Sequence, residues 1–139
     1  MERPWLQSYD NGVRHSIDYP KVPLKELFNR NADANPERPY LIYEETVYTY
    51  RDSNARARRL ANALVALGVK KGDRVALMSP NFPQYVFALE ACYKLGAAVV
   101  PTNPNATLKE ITHQFSDSGA ETAVCWAGVA DKPVQAMNQ

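Results

Sequence analysis

Cysteine and histidine are scarce in this chain, with two of each among 139 residues. Cys92 and Cys125 both lie inside apolar segments, so each reads as a buried thiol rather than half of a disulfide or a metal ligand. His15 and His113 stand far apart, no pair at zinc-ligand spacing exists, and each reads as a surface histidine. Apolar runs break well short of the ~20 residues that a membrane-spanning helix needs. The opening MERPWLQSYDNG lacks the basic-then-apolar layout of a secretory signal. A formal net charge of +1 gives no global reason to expect nucleic acid or an anionic membrane as a partner. Together these absences point to a soluble, cytoplasmic chain with no transmembrane segment.

Nucleotide loops are missing too. Neither G-x-G-x-x-G nor G-x-x-x-x-G-K-[ST] occurs, so no glycine-rich turn offers its N–H groups to a phosphate at a helix start. Lys70-Lys71-Gly72-Asp73 is the nearest imitation, but it leads into a strand and reads as a solvated turn. Neither Ser79 nor Ser118 sits in a G-x-S-x-G elbow. Cys92 falls mid-helix on the core side, where burial raises a thiol's pKa and silences it.

What is present suits one domain, long enough to bury about two-thirds of its unfolded surface. Hydrophobic residues make up 45% and charged residues 22%, an ordinary globular balance. Residues 1–22 carry Trp5, Leu6, Tyr9, Ile17 and Tyr19 without regular spacing, which suits an arm lying across another surface, or a partly disordered leader. Pro23 opens a short helix with Leu24, Leu27 and Phe28 on one face, and Pro36 closes it. Residues 40–43 and 47–50 form a hairpin joined by Glu44, Glu45 and Thr46, at an edge of the main sheet or as a satellite. A helix over 51–67 follows, with Leu60, Leu64 and Leu67 as its buried stripe and Gly68 as its left-handed stop.

Residues 68–104 then read as turn, buried strand, helix, glycine stop, second strand and proline-rich exit. Val75, Ala76, Leu77 and Met78 do not alternate with polar residues, so their strand is buried on both faces. Ser79 or Asn81 can cap the next helix, which has Pro83 in its first turn, and Val86, Leu89, Ala97 and Val99 supply core. Thr107 and Glu110 have capping-box spacing for a third helix, with Ile111 and Phe115 inward and Asp117-Ser118-Gly119 as its stop. Another strand covers 122–126, and 127–139 begins something without a visible end. The order strand, helix, strand, helix, strand predicts an α/β fold: a layered open sheet, mostly parallel, with an N-terminal arm and a hairpin.

The basic residues Arg51, Arg56, Arg58, Arg59, Lys70, Lys71 and Arg74 stand above background. A solvated helix face is their ordinary meaning. A patch for acidic lipid or nucleotide phosphate, hence peripheral membrane contact, is the sharper one.

Several pieces in this order resemble the N-terminal part of the adenylate-forming acyl-CoA synthetases, and among them the bacterial and archaeal long-chain fatty acid–CoA ligases. The leader matches as Trp5-Leu6, Tyr9, Gly12-Val13 and Ile17-Asp18. Thr49-Tyr50-Arg51 resembles the block (T/S)-Y-x-E-L, with Ser53 set against the acidic position and Asn54 against the leucine. The run 95–101, LGAAVVP, resembles a second block, followed by Thr102-Asn103-Pro104, Leu108, Glu110 and the Asp117-Ser118-Gly119 stop.

The resemblance implies a parent reaction in which ATP, a fatty acid and CoA give acyl-CoA, AMP and diphosphate through an acyl-adenylate, with Mg2+. In such enzymes the phosphate loop, the nucleotide contacts and the catalytic lysine come from later segments. No catalytic, cofactor-binding or metal residue therefore carries over onto this chain, and 23–139 is expected to be an incomplete N-terminal subdomain of an AMP-binding domain, catalytically inactive alone. A stand-alone interaction module that pairs with a ligase or self-associates, and a small nucleotide-binding domain, stay open beside it. The resemblance also implies a homodimer through the arm.

Overall fold

The computed structural model describes residues 3–138; Met1, Glu2 and Gln139, the outer ends of the expected arm and subdomain, lie outside the described residues. Five strands and five α-helices follow in the order α1 (Leu24–Ala34), β1 (Pro39–Tyr43), β2 (Thr46–Thr49), α2 (Tyr50–Ala66), β3 (Arg74–Met78), α3 (Pro83–Leu95), β4 (Ala98–Pro101), α4 (Leu108–Ser118), β5 (Thr122–Cys125) and α5 (Asp131–Met137). Short 3-10 helices cover Pro4–Ser8 and Ala127–Val129.

β3 is the central strand of a parallel sheet ordered β4-β3-β5, with Val75 opposite both Val99 and Thr122. Successive side chains of a strand face opposite ways, and here both faces are covered. Val75 and Leu77 join Leu64, Ala88, Ala91 and Cys92 beneath α2 and α3. Ala76 and Met78 join Ile111, Phe115 and Ala136 beneath α4 and α5. The result is three layers, helix on sheet on helix. Leu64, Leu77, Met78 and Ile111 are almost wholly enclosed, each contributing roughly 1.5–3 kcal/mol of apolar burial.

β1 and β2 form their own antiparallel pair, a satellite of the main sheet. Their turn is tighter than the sequence suggests: Thr46 already belongs to β2, and Glu44 adopts a φ of 51°. Tyr50 leaves the hairpin to begin α2.

The start of α2 is fixed by a capping box. The Thr49 hydroxyl accepts the Asp52 N–H at 3.1 Å, and the Asp52 carboxylate accepts the Thr49 N–H at 3.1 Å. Those bonds hold the Asp52 carboxyl below its ordinary range. They also correct the alignment of the first block: Asp52 takes the acidic position, and the wholly buried Ser53 takes the leucine's.

The buried face of α2 differs from the expected leucine stripe. Ser53, Ala57, Ala61 and Leu64 face inward, Leu60 is half-buried and Leu67 lies 76% exposed. Small residues won because α2 packs closely along α3, whose inward positions include Ala88 and Ala91. Past α2, Gly68 (φ 95°) gives its N–H to the Val65 carbonyl while the Val69 N–H reaches Leu64, the paired bonds of a Schellman stop.

Two further expectations fail locally. In α1, Leu24 and Leu27 stay exposed while Phe28 and Ala32 are buried, because the helix meets the body along a narrow line; Pro23 is its N-cap, outside the first turn. Neither Ser79 nor Asn81 caps α3: Phe82 holds that position, and the Ser79 hydroxyl donates to the Pro80 carbonyl at 3.0 Å. The capping box of Thr107 and Glu110 on α4 forms as expected.

Candidate functional site

Open parallel sheets take ligands beyond the carboxyl ends of their strands, where successive crossovers depart to opposite faces. Here α3 leaves β3 for one face and α4 leaves β4 for the other. At that edge lies a crevice of about 470 Å³. Ser79 follows β3, Cys125 ends β5, and Trp126 and Ala127 follow it; Phe82 and Gln84 come from the start of α3, and Tyr43 from the end of β1. No charged residue is among these.

Three rings form the wall. Tyr43 meets Phe82 edge to face at 6.0 Å and 83°, and Phe82 meets Trp126 at 6.1 Å and 82°. Such T-shaped pairs contribute about 0.5–1.5 kcal/mol each beyond area burial. The Trp126 indole lies over Gly128, leaving no room there for a Cβ.

The same wall continues along α3 as a ladder of contacts with the hairpin. Tyr48 packs edge-on against Phe87 at 5.4 Å, with the Arg56 guanidinium over both rings. Further along, the Tyr40 hydroxyl donates to Glu90 Oε1 at 2.9 Å. Phe28 and Tyr50 enclose the Tyr40 ring at 5.1 and 4.7 Å. Lys94 donates to Asn29 Oδ1 at 2.7 Å and stands 4.9 Å over the Phe28 ring.

Glu90 is buried, and its second oxygen has no hydrogen-bond partner. Burial pushes its carboxyl up, against the opposing pull of the Tyr40 bond and Lys94. Burial and then Glu90 push the Tyr40 phenol up, and burial pulls the Lys94 ammonium down.

An uncharged, ring-walled recess accommodates an apolar or planar group. It does not fit the phosphates of a nucleotide, and no group of three or more His, Cys, Asp or Glu side chains converges among the described residues to fit a metal ion.

The residues weighed from sequence fall elsewhere or fall silent. Cys92 is fully buried and its thiol is pushed up to about 11 by burial. Cys125, expected buried, is only partly so because it borders the crevice, and burial also raises its thiol. His15 packs against Tyr9, and His113 is exposed on α4. The Lys70–Asp73 turn closes on itself, the Asp73 carboxylate accepting the Lys70 N–H at 2.7 Å, at the opposite edge of the sheet. The basic run disperses: Arg51 pairs with Glu37 at 2.6 Å, Arg56 stacks on rings, and Arg74 binds carbonyls of Gly72, Ser118 and Gly119. Tyr43, Phe82, Gln84 and Trp126 were not singled out as site residues; three of these follow a strand's carboxyl end within a few residues, which is the signal that finds them.

An open sheet with a ligand-sized recess at its carboxyl edge is the architecture of α/β proteins that act on small molecules. The profile of the family "AMP-binding enzyme" matches residues 28–139. The chain belongs to that family. The long-chain-fatty-acid–CoA ligase of Yersinia pestis is 41% identical over 126 residues, covering 89% of this chain and 22% of the relative. The crystal structure of a putative long-chain-fatty-acid CoA ligase from Rhodopseudomonas palustris CGA009 aligns with a TM-score of 0.77 at 30% identity, over 84% of this chain and 30% of the other. A Mycobacterium tuberculosis fatty acyl CoA synthetase aligns at 0.75 and 32%, over 82% and 23%. The chain thus spans about a fifth of the length of the curated relatives it matches.

Proposed function

We propose that this chain is the N-terminal part of an ATP-dependent fatty acid–CoA ligase. In that reaction a carboxylate oxygen of the fatty acid attacks the α-phosphorus of ATP and diphosphate leaves; the CoA sulfur then attacks the acyl carbon and AMP leaves. The match to long-chain ligases over 126 residues carries the proposal. The uncharged crevice supports it further, as a place for the acyl tail and not for ATP, Mg2+ or the phosphates of CoA. Residues 23–139 act as scaffold for reactive groups held on other polypeptide, so catalytic, cofactor and metal residues are assigned to none of them. The chain alone, given ATP, Mg2+, palmitate and CoA, is expected to release no AMP; the polypeptide extended along its reading frame is expected to release AMP dependent on both palmitate and CoA. Robust turnover by the chain alone, or an extended product indifferent to palmitate, overturns the proposal.

Residues 1–22 are proposed as an arm that closes on a second copy. Its support is exposure: Trp5, Ile17 and Tyr19 are 56%, 62% and 76% exposed, and no described arm residue is buried. Sedimentation is expected to give a dimer that arm deletion dissolves, and a monomer at all concentrations overturns it. The cytoplasm, where ATP and CoA are available, is the proposed location; no helix among the described residues is long and apolar enough to cross a membrane. Favouring a stand-alone interaction module instead, β4 and β5 each have one unpaired edge among the described residues.

A further inference from the structure

The hairpin is held to α3 by three rungs. Counting inward from the crevice they are Tyr43 on Phe82, Tyr48 on Phe87, and Tyr40 on Glu90. The first two are ring contacts at 6.0 and 5.4 Å, and apolar contacts of this kind tolerate sliding because burial has no direction. The third is a hydrogen bond of 2.9 Å, with a preferred length and angle. Of the three rungs it is the directional one.

Glu90 is otherwise an expensive residue at its position. It is 7% exposed, one oxygen has no partner, and Lys94 turns to Asn29 and the Phe28 ring instead of closing a salt bridge with it. A methionine or leucine there would fill similar space without desolvating a carboxyl. What the carboxyl provides is an acceptor for Tyr40. The base of the hairpin is held to the start of α2, the Tyr50 N–H reaching the Arg38 carbonyl at 3.1 Å, but the hairpin belongs to a sheet separate from β3, so no ladder of strand hydrogen bonds sets its register along α3.

We propose that Tyr40 and Glu90 are positioning residues for the crevice: their hydrogen bond sets the register of the hairpin along α3 and thereby the gap between Tyr43 and Phe82. The pair does not touch the recess. It acts through Tyr43, three residues along β1, and through Phe82 and Gln84 at the start of the same helix that carries Glu90. The proposal rests on the crevice taking the acyl tail, and it adds which residues determine the width of tail admitted.

The test uses the full chain carrying Trp5→Phe, so that Trp126 is the sole indole, and cis-parinaric acid, a fluorescent polyene fatty acid, as probe. Acrylamide quenching of Trp126 reads the wall directly; probe titration reads the recess; far-UV circular dichroism confirms that each variant is folded. Tyr40→Phe and Glu90→Met are each expected to raise Trp126 quenching and to weaken probe binding roughly two- to tenfold, the range one hydrogen bond supplies. Glu90→Gln keeps an acceptor oxygen and is expected to preserve both readings. Either folded disrupting variant suffices. Quenching at the parental value in Tyr40→Phe or Glu90→Met overturns the proposal, as does a Glu90→Gln protein that loses as much as Glu90→Met. Should the parent bind no probe, the assignment of the crevice to acyl tails fails separately, while Trp126 quenching still decides whether the pair positions the wall.

Discussion

Arg74, at the start of β3, closes over Gly119 at the end of α4: its Nη2 donates to the Gly119 carbonyl at 3.0 Å and stands 2.9 Å from where a Cβ on that glycine would lie. Nε reaches the Ser118 carbonyl at 3.1 Å, so one guanidinium satisfies the last carbonyls of a helix and ties it to the central strand. Gly119→Ala is expected to destabilise by about 1–2 kcal/mol, part from its φ of 66° and part from collision with Arg74. In an Arg74→Ala background the collision vanishes and the backbone part remains. Urea unfolding of the four proteins is therefore expected to give a coupling of about 0.5 kcal/mol or more.

Glu90 makes stability fall as pH rises. Its folded carboxyl is raised, so the folded state holds the proton more tightly than the unfolded chain. Stability contributed by that proton is full below the ordinary carboxylate pKa and is lost as pH climbs through the raised folded value. Tyr40, Tyr93 and Lys94 face the group; burial pushes the two phenols up, away from that acidic window, and the Lys94 ammonium down. Glu90→Gln is expected to flatten the decline between mildly acidic and neutral pH and to be at least as stable as the parent at pH 7. Denaturation midpoints across pH check this; an unchanged slope refutes it.

The α2–α3 seam tolerates little added volume. Ala57 and Ala91 are both fully enclosed where the helices approach. Ala57→Leu is expected to lose about 1–3 kcal/mol or to prevent folding, and exposed Ala66→Leu on the same helix to stay within about 0.5 kcal/mol. Thermal unfolding of both gives the comparison.

The two thiols are expected to separate by access. Cys125 borders the crevice and Cys92 is sealed beneath α2, so a native chain treated with iodoacetamide is expected to label at Cys125 alone, slowly, because burial raises that thiol as well. An apolar occupant of the crevice is expected to slow it further. Mass spectrometry of the labelled peptides reads the outcome, and labelling of Cys92 before unfolding contradicts it.

Glu44 holds a left-handed φ of 51° in the hairpin turn, a conformation that costs a residue bearing a Cβ about 1 kcal/mol. Glu44→Gly is expected to gain roughly 0.5 kcal/mol after the added chain entropy of glycine is counted, visible as a small rise in Tm.

Strand, helix and stop signals were legible wherever local chemistry decides them. The β3 bounds, the Thr107–Glu110 box and the glycine stops depend on residues within a few positions of each other. Packing faces were less legible. Leu60 and Leu67 outrank Ala57 and Ala61 in hydrophobicity, yet the alanines face inward because α3 approaches closely, a fact carried by residues some thirty positions away. The crevice was illegible for the same reason. Tyr43, Phe82 and Trp126 each read as ordinary apolar residues, and only the crossovers that bring β1, α3 and β5 to one edge make them a wall.

With β3 in the centre, β5 docks on it only after a long return, Thr122 lying 47 positions beyond its partner Val75. Such distant pairing is slow to form and easily interrupted. During synthesis the early hairpin and α2 can settle first, while the central strand waits with one flank bare; refolding experiments on this polypeptide should thus meet their main kinetic barrier, and their greatest tendency to aggregate, at the moment that flank closes.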